Sequence, residues 1–253
     1  MNKLFAYLPC YNESGNIESL IHEWLKEKDS LLAQNYELVI VPIDDKSTDN
    51  TLEIIRRLEN SYQEVRVIAH KQNRNLGGAL STAVKDFLKH ADSNSNDLLC
   101  CMDGDNTHKP RFVHSMIDKI NSGAGCVIAS RYQPGASIHG VPSNRLFLSD
   151  GAKLYYSIVL HVPNVKDYTC GFRVYTYNAL KRAHNKYQKS LITMRSFSCM
   201  MELLYKLHRS GCVFAEVPFE LYYDSKVGES KMRILKTTKD SLITALRLRL
   251  FCK

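Results

Sequence analysis

The chain has 253 residues, 44% of them hydrophobic and 24% charged, with a net charge of +8. This length builds one sizeable core, and no run approaches the roughly 20 apolar residues of a membrane span. Between Ser225 and Lys253 eight Lys/Arg face two acids, so +6 of the net +8 belongs to that segment and a general nucleic-acid footprint is excluded.

In chain order, the spacing of apolar residues predicts a strand in LFAYLP, a helix over Ile17–Lys26, a strand in YELVIVPI, a helix from Asp49 to Leu58 and a strand in VRVIAH. A helix in GGALSTAVKDFLKH, the strand Leu98–Met102, a helix after Pro110 and the strand CVIAS follow. YQPGASIHGVPSN reads as a mobile loop, Arg145–Leu160 as a helix, MRSFSCMMELLYKLHRSG as a helix stopped by Gly211, CVFAEVPFELYY as a strand, and the basic tail as helical. Strands joined by helical crossovers imply an α/β class with a mostly parallel sheet. The eight cysteines show no metal-ligand spacing and are expected to be reduced and structural. MNKLFAYLPC has no signal-like apolar region, so the expected compartment is the cytosol.

Open α/β sheets bind ligands beyond the carboxyl ends of their strands. Here polar residues collect at four such ends: PCYNES, DDKSTDN, NRNLGG and DGDNTH. Two carboxylates beside a diphosphate would repel it, by about 4 kcal/mol per charge pair at intermediate dielectric, unless a divalent cation lies between. Asp103 and Asp105 therefore read as metal ligands, against the plainer reading of solvated turn residues. Asp45 could accept hydrogen bonds from a base or ribose, whereas Asp49 reads as a helix N-cap. In the second half, Arg145 and Ser149 share one face at the start of a helix and Arg131 ends the preceding strand. Together they outline an anion site beside the Pro/Gly loop, or else an exposed arginine pair.

The ordered set LPCYNESGNI, IDDKSTDNT, NRNLGGAL, MDGDNTHKP, ASRY, NRLFLSDGAKL, DYTCGFRVY and EVPFELYYDSKVGESKM resembles family 2 glycosyltransferases of the A-type fold, in particular the polyprenyl-phosphate, dolichol-phosphate mannosyltransferase-like branch. The resemblance implies a Rossmann-like nucleotide-diphospho-sugar transferase fold: a mostly parallel central sheet flanked by helices, with a basic amphipathic helix at the C-terminus. One catalytic domain would span 1–224, divided into a donor half, 1–131, and an acceptor half, 132–224, with a basic segment at 225–253. It implies that Pro9, Tyr11, Glu13, Asp45 and Lys231 hold a nucleotide-sugar donor and that Asp103 and Asp105 hold Mg²⁺ or Mn²⁺. Arg131, Arg145 and Ser149 would grip an acceptor phosphate, with Asp105, Arg131 and Arg145 acting directly on the reacting groups.

The implied reaction is an inverting sugar transfer to polyprenyl phosphate. A saccharide or other hydroxyl acceptor is the alternative, with Asp167 or Glu202 as its general base; a non-catalytic nucleotide-sugar-binding module is a further one. Thr107 stands where some family members have a metal-assisting glutamine, and Ser225–Lys226 where many have an arginine. No membrane-spanning C-terminus is expected. Leu235, Leu242, Leu246 and Leu250 among the tail's cations read either as an interfacial helix, giving peripheral contact at the inner face of the membrane, or as a helix packed on the domain. A homo-oligomer is compatible with the sequence.

Overall fold

Strands covered on both faces read as unbroken apolar runs, and the first two strands do so. The computed structural model describes residues 1–140, 143–222 and 234–252, with the backbone alone at 143–150 and 234–239. Strand β1 (Asn2–Cys10) leads to helices α1 (Ile17–Lys26) and α2 (Lys28–Ala33), then β2 (Tyr36–Asp44), α3 (Thr51–Ser61), β3 (Ile68–Ala69), α4 (Asn75–His90) and β4 (Leu98–Cys101). Helix α5 (Val113–Asn121), β5 (Cys126–Ser130), β6 (Ser137–His139) and α6 (Ser143–Val159) follow. The chain then forms β7 (Arg173–Thr176), α7 (Tyr177–Tyr187), α8 (Ser198–His208), β8 (Phe214–Pro218), β9 (Glu220–Tyr222) and α9 (Ile234–Phe251).

Seven strands make one sheet in the order β3-β2-β1-β4-β7-β5-β8, and β6 pairs with β9 in a small second sheet. All neighbours in the large sheet are parallel except β7, which runs antiparallel to both β4 and β5. Registers of Cys10 with Asp44 and of Tyr7 with Cys101 bring the carboxyl ends of β1, β2 and β4 to one edge. Because β7 is reversed, its amino end, Arg173 opposite Cys101, meets that same edge. Strands from before and after residue 131 thus share a single sheet.

Helix α1 shows how sequence sets the packing: Ile17, Leu20, Ile21 and Trp24 recur at helical spacing and are fully buried. Helix α1 packs against both α2 and α3, while α4, α7 and α8 form a second group that α9 and α6 extend. The free cysteines lie buried, except Cys252, which is half-buried.

Several expected elements differ in extent. VRVIAH pairs with β2 as a ladder at Ile68–Ala69 and through one isolated bridge of Val65 with Ile40; between them the Val67 amide donates to Glu59 Oε1 instead of to β2. The expected mobile loop contains β6. CVFAEVPFELYY breaks at Phe219, whose buried ring turns in against His108 and Phe112, and β9 then joins the second sheet. MRSF precedes α8 rather than beginning it, since the Thr193 and Met194 amides donate to Glu202 instead of continuing a helix. The apolar spacing of the sequence does not announce strand β7 or helices α2 and α7.

Candidate active site at the carboxyl edge of the sheet

Two loops are laced together where β1 and β2 end. The Asn12 amide donates to Ser47 Oγ at 3.0 Å, and the Thr48 amide returns to Asn12 Oδ1 at 2.8 Å. The Glu13 amide donates to Thr51 Oγ1 at 2.8 Å and the Ser14 amide to Asp49 Oδ2 at 3.2 Å. Asn12 and Lys46 sit at φ +54° and +64°, a region that asparagine tolerates readily and lysine does not, so the lacing holds local strain in place. Asp49 is not the N-cap of α3; Asn50 occupies that position, while Asp49 Oδ1 accepts from the Thr51 amide at 3.1 Å. Pro9 is the penultimate residue of β1, Glu13 is buried with its Oε2 accepting from Asn16 at 2.8 Å, and the Tyr11 ring is exposed. Asp45, also buried, takes hydrogen bonds from His70 and from the Arg74 amide.

The acidic pair follows β4. Gly104 lies so close to β1 that a Cβ there would meet the Pro9 carbonyl oxygen at 2.8 Å, which explains glycine between the two aspartates. Asn106 adopts φ +59° and turns the chain sharply, and the Thr107 hydroxyl donates to Asp105 Oδ1 at 2.7 Å. Thr107 thereby positions a carboxylate, a different task from supplying a further amide ligand. On the far side of Asp103, a Cβ on Gly171 would lie 2.8 Å from Oδ1, so the start of the β7 segment forms a glycine cradle for that carboxylate. Among the described residues no third His, Cys, Asp or Glu joins a metal-holding group. Two carboxylates fit Mg²⁺ or Mn²⁺, which typically bind through one or two carboxylates plus substrate phosphates and water.

Arg131 follows β5 and faces a buried carboxylate. Its Nε and Nη2 donate to Asp167 Oδ2 and Oδ1 at 2.8 and 2.7 Å, its amide donates to Oδ2 at 3.1 Å, and Nη2 also reaches Thr169 Oγ1 at 2.7 Å. Burial alone would raise the Asp167 carboxyl, but the charge and hydrogen bonds of Arg131 outweigh it and hold the carboxyl down at about 2. Glu216 on β8 fixes this loop from behind by accepting the Lys166 and Asp167 amides at 2.8 and 2.7 Å. Arg173, fully buried, donates to the carbonyls of Tyr168, Cys170 and Met200 and so ties the same loop to α8. His108 lies between Phe172 and Phe219; its Nδ1 has no hydrogen-bond partner among the described residues. Burial pushes its pKa down to about 4, so the imidazole is neutral at physiological pH.

The structure places the sequence-predicted residues unequally. Pro9, Tyr11, Glu13, Asp45, Asp103, Asp105 and Arg131 all stand at the one edge of the sheet. Arg145 and Ser149 are on α6, where their side chains lie outside the description, and Lys231 lies outside the described residues altogether. Lys153, four residues beyond Ser149, puts its ammonium 4.2 Å from the centroid of the Tyr132 ring, next to Arg131. Its spacing from Arg145 and Ser149 was a readable signal that sequence reasoning missed. Both expected general bases are engaged: Asp167 by Arg131, and Glu202 by Thr193, the Met194 amide and Lys206.

The family model for glycosyl transferase family 2 matches residues 6–198. The chain belongs to this family. A dolichol-phosphate mannosyltransferase from Pyrococcus furiosus is 30% identical over 232 residues, covering 91% of this chain and 59% of the relative, so the chain spans under two thirds of that protein's length. A polyprenol monophosphomannose synthase from Mycolicibacterium smegmatis is 26% identical over 91% of this chain and 81% of its own. Among solved structures, glucosyl-3-phosphoglycerate synthase from Mycobacterium tuberculosis in complex with Mn²⁺, uridine diphosphate and glucosyl-3-phosphoglycerate superimposes with a TM-score of 0.67 at 18% identity. That match covers 98% of this chain and 80% of the synthase, and it shows the nucleotide-sugar transferase fold.

Proposed function

We propose that this protein transfers a sugar, with inversion, from a nucleotide-diphosphate sugar to a polyprenyl phosphate. The supporting observation is that Arg131 neutralises Asp167, while Thr193, the Met194 amide and Lys206 occupy Glu202, so neither expected carboxylate is available as a base. An acceptor hydroxyl needs a general base; a phosphate monoester, already anionic near neutral pH, needs none. The two curated relatives carry names of lipid-phosphate mannosyltransferases.

In this reading the laced loops of Pro9, Tyr11, Glu13 and Asp45 bind the nucleoside, with Lys231 contributing from the donor side. Asp103 and Asp105 would hold Mg²⁺ or Mn²⁺, which supplies Lewis-acid stabilisation of the departing diphosphate. Nη1 of Arg131, to which no described residue serves as acceptor, together with Lys153 and the α6 positions Arg145 and Ser149, would orient the acceptor phosphate. Asp167 holds the guanidinium in one orientation, and neutral His108, buried against Phe172 and Phe219, adds no charge near Asp105 or Arg131.

Membrane contact through α6 and α9 suits such an acceptor. Among the described residues no helix is long and apolar enough to cross a membrane. The Tyr155 hydroxyl donates to the Leu242 carbonyl and the Tyr156 hydroxyl bonds Ser241 Oγ, so the two helices lie side by side. Helix α9 packs inward through Ser241, Thr244, Ala245 and Leu248, while Leu246 and Leu250 of the expected leucine stripe point outward, as do Leu154 and Ile158 of α6. Exposed Arg247 and Arg249 accompany them, which suits an anionic lipid surface.

The test is transfer of radiolabelled sugar in the presence of polyprenyl phosphate and Mn²⁺. Label in an organic-extractable, mild-acid-labile product supports the proposal; label confined to water-soluble oligosaccharide overturns it. The second reading, a hydroxyl acceptor, draws on the fold relationship to the phosphoglycerate-glucosylating synthase.

A further inference from the structure

The carboxylate expected to meet the donor base is clamped asymmetrically. Asp45 Oδ1 lies 2.7 Å from His70 Nδ1 and accepts from the Arg74 amide at 2.8 Å. A carboxylate only accepts, so Nδ1 carries the hydrogen, and Nε2 sits 2.9 Å from the Thr82 hydroxyl on α4. The backbone is held as firmly: the Asp45 amide donates to the Cys10 carbonyl at 2.9 Å, and Asn73 Nδ2 donates to the Asp45 carbonyl at 3.0 Å. The His70 and Asp45 side chains are 6% and 5% exposed, so little water competes for these bonds.

An oxygen of a carboxylate offers two lone pairs in its plane, and both on Oδ1 are taken. No described residue donates to Oδ2. The donor therefore meets one free oxygen rather than the pair. Guanine presents N1–H and N2–H side by side, a fork that needs both carboxylate oxygens. Uracil and thymine present a single N3–H between two carbonyls, which needs one. A guanine docked here would leave its second N–H facing an oxygen already saturated, and a polar group left without its partner loses affinity steeply.

We propose that Asp45, through its single available oxygen, selects a uracil- or thymine-type nucleoside diphosphate over a guanine one, and that His70, backed by Thr82, is the positioning residue that imposes this choice. The inference rests on the reading of this edge as a nucleotide-sugar donor site. It goes beyond that reading by naming the base, which neither the family nor the fold decides.

Isothermal titration of the full chain with UDP and with GDP, each with Mn²⁺, tests it. UDP should bind at least about tenfold more tightly than GDP, the cost of one hydrogen bond to a charged group. His70→Ala should weaken UDP binding and bring the two affinities closer by freeing Oδ1. His70→Asn, whose amide can stand where Nδ1 does, should restore the gap. Thermal denaturation separates this from a general loss of fold, and Thr82→Val, which removes only the support of Nε2, gives an intermediate gap should His70→Ala not fold. GDP binding as tightly as UDP, or a gap unchanged in folded His70→Ala, would overturn the inference while leaving the donor reading intact. Binding of neither nucleotide would overturn both.

Discussion

Replacing Asp167 by Asn separates a structural carboxylate from a catalytic one. Asp167 is fully buried and receives two side-chain bonds and an amide bond from Arg131, plus the Cys170 amide at 3.0 Å. Its carboxyl is held at about 2 against an ordinary 3.8, a difference that corresponds to about 2 kcal/mol of folding free energy. Removing one partner of a buried ion pair typically costs about 3–5 kcal/mol. Asn keeps one acceptor oxygen, and Arg131 retains 20% of its side-chain exposure through which water screens the released charge. The expected loss is therefore about 2–3 kcal/mol, or roughly 5–10 °C in Tm for a domain of this size.

The sign of the pH dependence follows from the depressed pKa. The contribution of Asp167 is complete above the unfolded value near 4 and is lost as pH falls through about 2. Denaturant unfolding of both proteins across pH 7 to 3 should show a constant gap that begins to close below pH 4. Turnover at neutral pH should fall less than about tenfold, with the larger change in the KM for the acceptor, because Asp167 orients Arg131 and takes no proton. A loss of about 10²–10⁴ in kcat, the usual contribution of a general base, would refute this and return the protein to the hydroxyl-acceptor reading.

Asp105→Ala should abolish metal-dependent transfer while the melting temperature shifts by less than 3 °C, roughly 1 kcal/mol at this size; chelation should silence the native protein reversibly, with Mn²⁺ add-back as the check. Gly171→Ala pushes a methyl to 2.8 Å from Asp103 Oδ1, and metal titration of activity should show the half-saturating Mn²⁺ concentration rising about tenfold, the effect of a displaced ligand. Arg173→Met strands three buried carbonyls and should cost about 3 kcal/mol in urea unfolding, since each lost bond to a charged donor contributes about 1.5–3 kcal/mol and the loop relaxes in part.

The loops after β1, β2 and β4 were legible because their signals are local. Each strand end and the polar residues after it are contiguous, so LPCYNES, IDDKSTD and MDGDN could be placed before any contact was known. Asp167 and Arg131 lie 36 residues apart, and Glu216 lies 49 residues beyond Asp167; nothing in spacing announces that they meet. Strand β7 escaped notice for a related reason. RVYT is four residues long and opens on an arginine, which reads as exposed until the three carbonyls that receive it are seen. The His70 clamp was equally hidden: the histidine belongs to an apolar-looking VRVIAH run, and its two partners come from the loop after β2 and from the second turn of α4.

The reversal of β7 ties these parts together. A parallel strand in its place would bring Thr176 and the start of α7 to the ligand edge, and the 167–172 segment would sit at the opposite one. Running antiparallel, β7 instead delivers the chain entering it, so Asp167 reaches Arg131, Thr169 reaches the same guanidinium, and Gly171 fits beneath Asp103. One short segment thereby touches both Asp103 and Arg131. Glu216 and Arg173 hold that segment from two directions, and a buried cation bonded to three carbonyls is costly to rearrange. In the proposed reaction, the spacing between the departing diphosphate and the incoming anion would be a property of the β7 entry loop, set in the core of the sheet rather than by the surface loops.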